Sequence, residues 1–273
     1  MFIDLKKAFD TVPHNILLNK LERIGIRGIQ LSIFRDYLSN RKQNVRIEGC
    51  TSEDVGVTCG VPQGSVLGPT LFLVYINDLC NLALNNAKII SYADVTAIIF
   101  TGSSWSSTKT ASENGMKRVA QWLKNYLLTL NTGKTNFMCF SIYNNFQPNY
   151  ELSLKIHTCD ETIRNDCCCP IINKVELVKY LGVMVDQRLS WYPQLEMTMS
   201  RIRKFNWIFK TLRHIVPTNM IDGTGTPRNL LNEIYISLVQ SITTYCIPIW
   251  GGAHKSRFLM LERASQPRQH TSL

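Results

Sequence analysis

Ile89-Ile90-Ser91-Tyr92-Ala93-Asp94-Val95-Thr96-Ala97-Ile98-Ile99 joins two runs of strand-forming residues through a two-residue tip. Isoleucine, valine, threonine and tyrosine fit a pleated, half-buried surface. A connection as short as Ala93-Asp94 suits a tight hairpin. The pattern predicts a hairpin over Lys88 to Phe100 with an acid at its tip. A carboxylate flanked by core strand residues is costly to bury unless a positive charge offsets it.

A second acid has the same setting. Phe2-Ile3-Asp4-Leu5 is a short apolar run that reads as a buried strand, with nothing ahead of it to pair with or cap it. Two such carboxylates brought together repel unless divalent cations hold them. Paired metals about 4 Å apart, gathered by acids, are the arrangement used for nucleotidyl transfer, and hard oxygen ligands suit Mg2+. Alone, Asp4 or Asp94 reads as a turn or cap residue, so the surroundings decide.

Those surroundings alternate between helix and strand. Pro13 suits a first helical turn, and Leu17, Leu18, Leu21 and Ile24 follow at helical spacing up to Gly25. A second helix is predicted from Gly28 to Leu38, with Ile29, Ile33, Phe34 and Tyr37 on its apolar face. Gln43 to Glu48 alternates as a strand and pairs with Glu53 to Thr58. A Gly/Pro loop, Cys59 to Pro69, precedes a helix from Thr70 to Leu84. Ser106 to Leu128 reads as a long helix with Val119, Trp122, Leu123 and Tyr126 as its stripe. A strand is expected at Phe137 to Phe140 and another signal at Val178 to Val185. Asn144 to Asn173 between them is polar and weakly patterned. From Trp191 the chain is mostly helical, apart from a loop at Asp222 to Pro227 and a polar tail after Arg263.

Composition narrows the partners. Thirty Lys+Arg against 20 Asp+Glu give a net charge of +10, which favours a polyanion such as nucleic acid. Hydrophobic residues are 45% of 273, enough for a sizeable core. No basic-then-apolar leader follows Met1, and no apolar stretch reaches the roughly 20 residues of a membrane span. The expected location is intracellular, nuclear or cytoplasmic. Nine irregularly spaced cysteines read as reduced thiols. Cys167-Cys168-Cys169, near His157 and Cys159, leaves a zinc site open, although three adjacent side chains converge poorly on one ion. Gly133-Lys134-Thr135 lacks the upstream glycine of a phosphate loop, since Leu128 stands there.

Five ordered segments resemble one family, the reverse transcriptases of jockey- and LINE-like non-LTR retrotransposons. Phe2-Ile3-Asp4-Leu5-Lys6-Lys7-Ala8-Phe9-Asp10 is similar to their motif A. Cys59-Gly60-Val61-Pro62-Gln63-Gly64-Ser65-Val66-Leu67-Gly68-Pro69-Thr70-Leu71-Phe72 closely resembles motif B. Ser91-Tyr92-Ala93-Asp94 resembles the start of motif C. Trp122 with Leu130-Asn131 and Lys134-Thr135 resembles motif D, and Val178-Lys179-Tyr180-Leu181-Gly182-Val183 with Leu189 and Trp191 resembles motif E.

The resemblance implies an α+β fold: a right-hand palm with an antiparallel sheet and backing helices, then a helical thumb. It divides the chain into a palm at 1–141, a palm-to-thumb segment at 142–191 and a thumb at 192–273. It implies RNA-templated DNA synthesis from a DNA primer and dNTPs with two Mg2+ ions. Asp4 and Asp94 become metal ligands, with the Leu5 carbonyl as an added oxygen. Phe9 becomes the gate that excludes a ribose 2′-hydroxyl, and Asp10 a brace for its loop. Gln63 contacts the incoming nucleotide or template, where Gly64 lets the backbone come close. Lys134 protonates or neutralises the leaving pyrophosphate. Tyr180, Leu181 and Gly182 form the primer grip. Arg201, Arg203, Lys204, Lys210 and Arg213, interleaved with Phe205, Trp207 and Phe209, contact nucleic acid or form a solvated basic face.

Two departures stand out. Val95 occupies the place of a second motif C Asp, and valine cannot ligate a metal. A single-base change converts an Asp codon to a Val codon, as in a decaying element copy, so impaired activity is expected. The fingers region that the family carries before motif A is largely missing, so the Asp4 strand is expected to lack neighbours and expose apolar surface. The alternatives are a catalytically dead nucleic-acid-binding remnant and a cellular relative of the intron maturase or telomerase kind.

Overall fold

A computed structural model describes residues 1–141, 152–157, 169–215, 220–221, 227–228, 230–253 and 258–261. The chain divides into two compact units, residues 1–138 with 147–175, and residues 139–146 with 176–273. The architecture is mixed helix and sheet.

The first unit is built on a six-stranded sheet. Its strands are β1 (Phe2–Ile3), β6 (Ala87–Tyr92), β7 (Val95–Phe100), β8 (Asn136–Phe137), β9 (Leu154–Lys155) and β10 (Ile171–Lys174), in the order β6-β7-β1-β8-β10-β9. The intervening β2 (Lys42–Gln43), β3 (Arg46–Ile47), β4 (Cys50–Thr51) and β5 (Val55–Gly56) form a separate ribbon in which β2 pairs with β5 and β3 with β4. The strand carrying Asp4 is therefore not an orphan. It lies inside the sheet, with Phe2 opposite Ala97 on one side and Asn136 on the other. Nor is the sheet wholly antiparallel, because β8 and β10 run parallel. A long connection between them permits that, where a tight hairpin would not. Strands β9 and β10 fall in the stretch that looked unpatterned, because short strands leave little periodicity to read.

One sheet face is packed and the other open. Ile3, Leu5, Thr96 and Ile98 are buried, with α3 (Leu67–Cys80) against β6 and α4 (Trp105–Asn125) against β7. Residues that alternate to the other face, Ile90, Tyr92 and Ile99, are exposed. Helix α4 starts where Ser104 and Ser107 cap each other, which satisfies amides left free at a helix start. Helix α2 (Ile29–Leu38) forms where expected but is rotated from the expected face, of which Phe34 and Tyr37 are half-buried. Leu31 and Leu38 are buried, whereas Ile29 and Ile33 are exposed. Apolar residues occupy most of the helix surface, and docking of α2 on α1 (His14–Arg23) decides which of them are covered.

Lys20 of α1 is an unusual core residue, only 5% exposed. Its ammonium lies 2.9 Å from Asp78 and donates to the Tyr75 carbonyl at 2.5 Å. It stands over the rings of Tyr126, Tyr75 and Trp122 at 3.9, 5.2 and 5.3 Å, an arrangement that favours a cation. Burial pulls the Lys20 amine below the ordinary lysine value, against the opposing pull of Asp78. With the folded pKa depressed, the unfolded chain binds more protons below 10.5, so this group adds stability as pH rises toward that value. Melting temperatures measured upward from neutral pH should show this slope, and Lys20→Met, which keeps the volume, should flatten it. Lys20→Ala should cost about 2–3 kcal/mol through lost ring contacts.

In the second unit, β11 (Leu177–Tyr180) and β12 (Val183–Asp186) form a hairpin, and α5 (Tyr192–Ile215) packs along β12. Its core gathers Val183, Leu195, Met199, Ile202, Val239, Trp250 and Leu261. Burial pushes the Asp186 carboxyl up, but the backbone N–H groups of Ser190 and Trp191 that donate to it hold it below the usual range. Among the described residues no helix is long and apolar enough to cross a membrane.

Candidate active site

Strand register sets the geometry around Asp4. Met1 and Ile98 exchange both backbone hydrogen bonds, and Ile3 lies opposite Thr96. Continuing that alternation puts Val95 across from Asp4 in a non-bonded pair, with Cα atoms about 4.5 Å apart and side chains on one face. Asp94 lies next to Val95, in the two-residue turn Ala93-Asp94 that joins β6 to β7. The tip has φ of 53° at Ala93, as at the first central position of a type II′ turn, where glycine is the usual residue. Ser91 braces it by donating to the Ala93 carbonyl. Such strain at a polar tip is a recurrent mark of a functional site. Asp4 and Asp94 are both half-buried.

The other edge of Asp4 is gripped by the segment after α4. The Asn131 N–H donates to the Asp4 carbonyl at 2.9 Å, and the Lys6 N–H donates to Thr129 at 2.8 Å. The Asp4 N–H donates to Thr135 Oγ1 at 3.3 Å. Asn131 Nδ2 donates to Asp4 Oδ2 at 2.8 Å. Since Asp4 turns its backbone groups to this side, alternation turns the Leu5 carbonyl to the side of the Ala93-Asp94 tip. Sequence reading assigned no role to Asn131, because its partner lies 127 positions away.

The loop after β1 and the loop before α3 interlock. Gln63 Nε2 donates to Asp10 Oδ1 at 2.7 Å. The Gly60 N–H donates to Val12 at 2.7 Å and the Val61 N–H to Phe9 at 2.8 Å. A His14 ring nitrogen meets the Gly60 carbonyl at 2.8 Å. Phe9 is half-buried and stacks on Phe72 with ring centroids 4.4 Å apart. Gly64 has φ of 76°, and among the described residues nothing beyond its chain neighbours lies within 4 Å of where a Cβ would stand. Lys134 is exposed, on a turn closed by hydrogen bonds from the Lys134 and Thr135 N–H groups to the Asn131 carbonyl.

The remaining candidates belong to the second unit. Tyr180 ends β11, and burial pushes its phenol up. Leu181 and Gly182 turn the hairpin with φ of 46° and 83°, and Tyr245 donates to the Leu181 carbonyl at 2.6 Å. Arg201, Arg203 and Lys204 are exposed on α5 while Ile202 between them is buried, and Trp207 is 66% exposed. The side chains of Lys210 and Arg213 lie outside the described residues, as do Cys159, Cys167 and Cys168.

The oxygens of Asp4 and Asp94, with the Leu5 carbonyl, suit a hard divalent cation. Among the described residues no cluster of three or more His, Cys, Asp or Glu side chains could hold a metal. The donors on offer are two carboxylates and one backbone carbonyl. At the third position stands the apolar Val95.

Comparison with known proteins shows the family. The reverse transcriptase (RNA-dependent DNA polymerase) family profile matches residues 1–185. The "Probable RNA-directed DNA polymerase from transposon BS" of Drosophila melanogaster is 28% identical over 94% of this chain and 27% of its own length. The "RNA-directed DNA polymerase from mobile element jockey" of the same organism is 25% identical over 93% of this chain and 26% of its own length. The "Probable RNA-directed DNA polymerase from transposon X-element" is 24% identical over 96% and 27%. The chain thus spans about a quarter of the length of these relatives. Members of the matched family use divalent metal ions. With a profile match over residues 1–185, most of its length, the chain belongs to the reverse transcriptase family.

Proposed function

We propose that this chain is the palm and thumb portion of an RNA-directed DNA polymerase from a non-LTR retrotransposon, in a copy whose catalytic centre is impaired. The first unit is read as the palm and the second as the primer-grip hairpin and thumb, acting inside the cell on an RNA template, a DNA primer and dNTPs. The observation that supports the reading is the register that, continued by one pair, sets Asp4 across from Val95, next to the Ala93-Asp94 turn, at one end of the sheet.

In this reading Asp4, Asp94 and the Leu5 carbonyl hold Mg2+. When bound, the metal would supply activation of the primer 3′-hydroxyl and charge stabilisation for the leaving pyrophosphate. Phe9, fixed against Phe72, limits space at the sugar 2′ position. Gln63 and Gly64 meet the nucleotide or template. Lys134 supplies a proton or a positive charge to the pyrophosphate. Tyr180, Leu181 and Gly182 hold the primer strand, and Arg201, Arg203, Lys204, Lys210 and Arg213 contact the nucleic-acid backbone.

Val95 favours a second reading, nucleic-acid binding without catalysis. A primer-extension assay on an RNA template, with filter binding alongside, separates the two. The unaltered chain is expected to retain the duplex but extend it little. Val95→Asp should raise extension at least tenfold, and Asp4→Ala in that background should abolish the gain. Extension by the unaltered chain at least equal to that of Val95→Asp would refute impairment by Val95. A Val95→Asp protein that binds duplex but never extends it would leave the binding remnant as the better description.

A further inference from the structure

We propose that Asn131 is a positioning residue for the Asp4 carboxylate, an inference that rests on the proposed cation site. Asp4 stands at the end of a two-residue strand, and the side chain across from it is Val95, which offers no hydrogen bond. A carboxylate in that setting has torsional freedom that a metal site must remove. The segment from Asn131 to Thr135 removes it by gripping three atoms of one residue. The Asn131 N–H holds the Asp4 carbonyl, fully buried Thr135 holds the Asp4 N–H, and the Asn131 amide holds Oδ2. Asn131 is itself fixed, because its carbonyl accepts from both the Lys134 and Thr135 N–H groups.

The residue type suits the task. A neutral amide satisfies one carboxylate oxygen and leaves the full negative charge for a cation. A lysine there would neutralise that charge, and an aspartate would repel it. Oδ1 carries no hydrogen bond among the described residues and is the oxygen left to coordinate. Hydrogen-bond partners of this kind commonly change metal affinity 10- to 100-fold when removed.

The test is Mn2+ binding to the full chain, followed by electron paramagnetic resonance, for the unaltered protein, Asp4→Ala and Asn131→Ala. Asp4→Ala should abolish the site. Asn131→Ala should weaken Mn2+ about tenfold with little change in melting temperature. Affinity within twofold of the unaltered chain would overturn the proposal while leaving the cation site standing. Failure of the unaltered chain to bind Mn2+ would overturn both. Should Asn131→Ala not fold, the Asn131 side-chain amide signal in the unaltered protein gives a second readout. Stoichiometric Mn2+ should broaden it selectively, and an unperturbed signal would count against the assignment.

Discussion

Val95→Asp should melt at a lower temperature than the unaltered chain in EDTA, and at a higher temperature than its own EDTA value once Mg2+ or Mn2+ is added. The register places position 95 across from Asp4 on the same face, so the substitution sets two carboxylates side by side. At about 5 Å and an effective dielectric near 20 the repulsion is roughly 3 kcal/mol. Because Asp4 and Val95 are half-buried, solvent screening reduces this to about 1–2 kcal/mol, or about 3–6 °C for a protein of this size. A cation at 100 times its dissociation constant returns about 2.7 kcal/mol, enough to reverse the sign. Val95→Asn is the control, since it matches the size without the charge and should show neither effect. A Val95→Asp protein indifferent to divalent ions would mean that Asp4 and position 95 do not share a site.

Gly60→Ala should be among the most damaging single-methyl additions in the first unit. Gly60 has φ of 92°, and a Cβ there would lie 2.9 Å from the Asp10 carbonyl oxygen and 3.0 Å from its Cα. Backbone atoms cannot swing aside as a flexible side chain can. Three hydrogen bonds to Val12, Phe9 and His14 pin the crossing on both sides. Left-handed conformation with backbone overlap should cost about 3–4 kcal/mol, a melting shift on the order of 10 °C. Gly64→Ala is the comparison, because its φ of 76° is strained but nothing lies within 4 Å of the added methyl. Its cost should be about 1–2 kcal/mol. Equal losses at the two positions in thermal denaturation would show that the loop interlock is not as described.

Much of this structure was legible wherever the signal was local. The Ala93-Asp94 hairpin and helix α1 follow from residue type and spacing over a dozen positions. Non-local choices were not legible. Helix α2 is apolar on more than one side, and only its neighbour decides that Leu31 and Leu38 are buried while Ile29 and Ile33 are not. A two-residue strand such as β1 gives no hint that it lies inside a sheet, and the parallel pairing of β8 with β10 joins segments about 37 residues apart. Lys20 reads as an ordinary helix lysine, because Tyr75, Trp122 and Tyr126 come from distant parts of the chain. At the site, Asp4, Phe9, Gln63 and Asp94 were picked out through motif resemblance. Asn131 stood within the motif D resemblance but without a role, because a hydrogen bond across the fold leaves no spacing to notice.

The most direct test is a crystal structure of the chain grown with Mn2+ and examined at a wavelength where manganese scatters anomalously. The account predicts a peak within coordination distance of both Asp4 Oδ1 and the Asp94 carboxylate, beside the hairpin turn. Carboxylates on opposite faces of the sheet, or a manganese peak bound elsewhere with none between them, would contradict it.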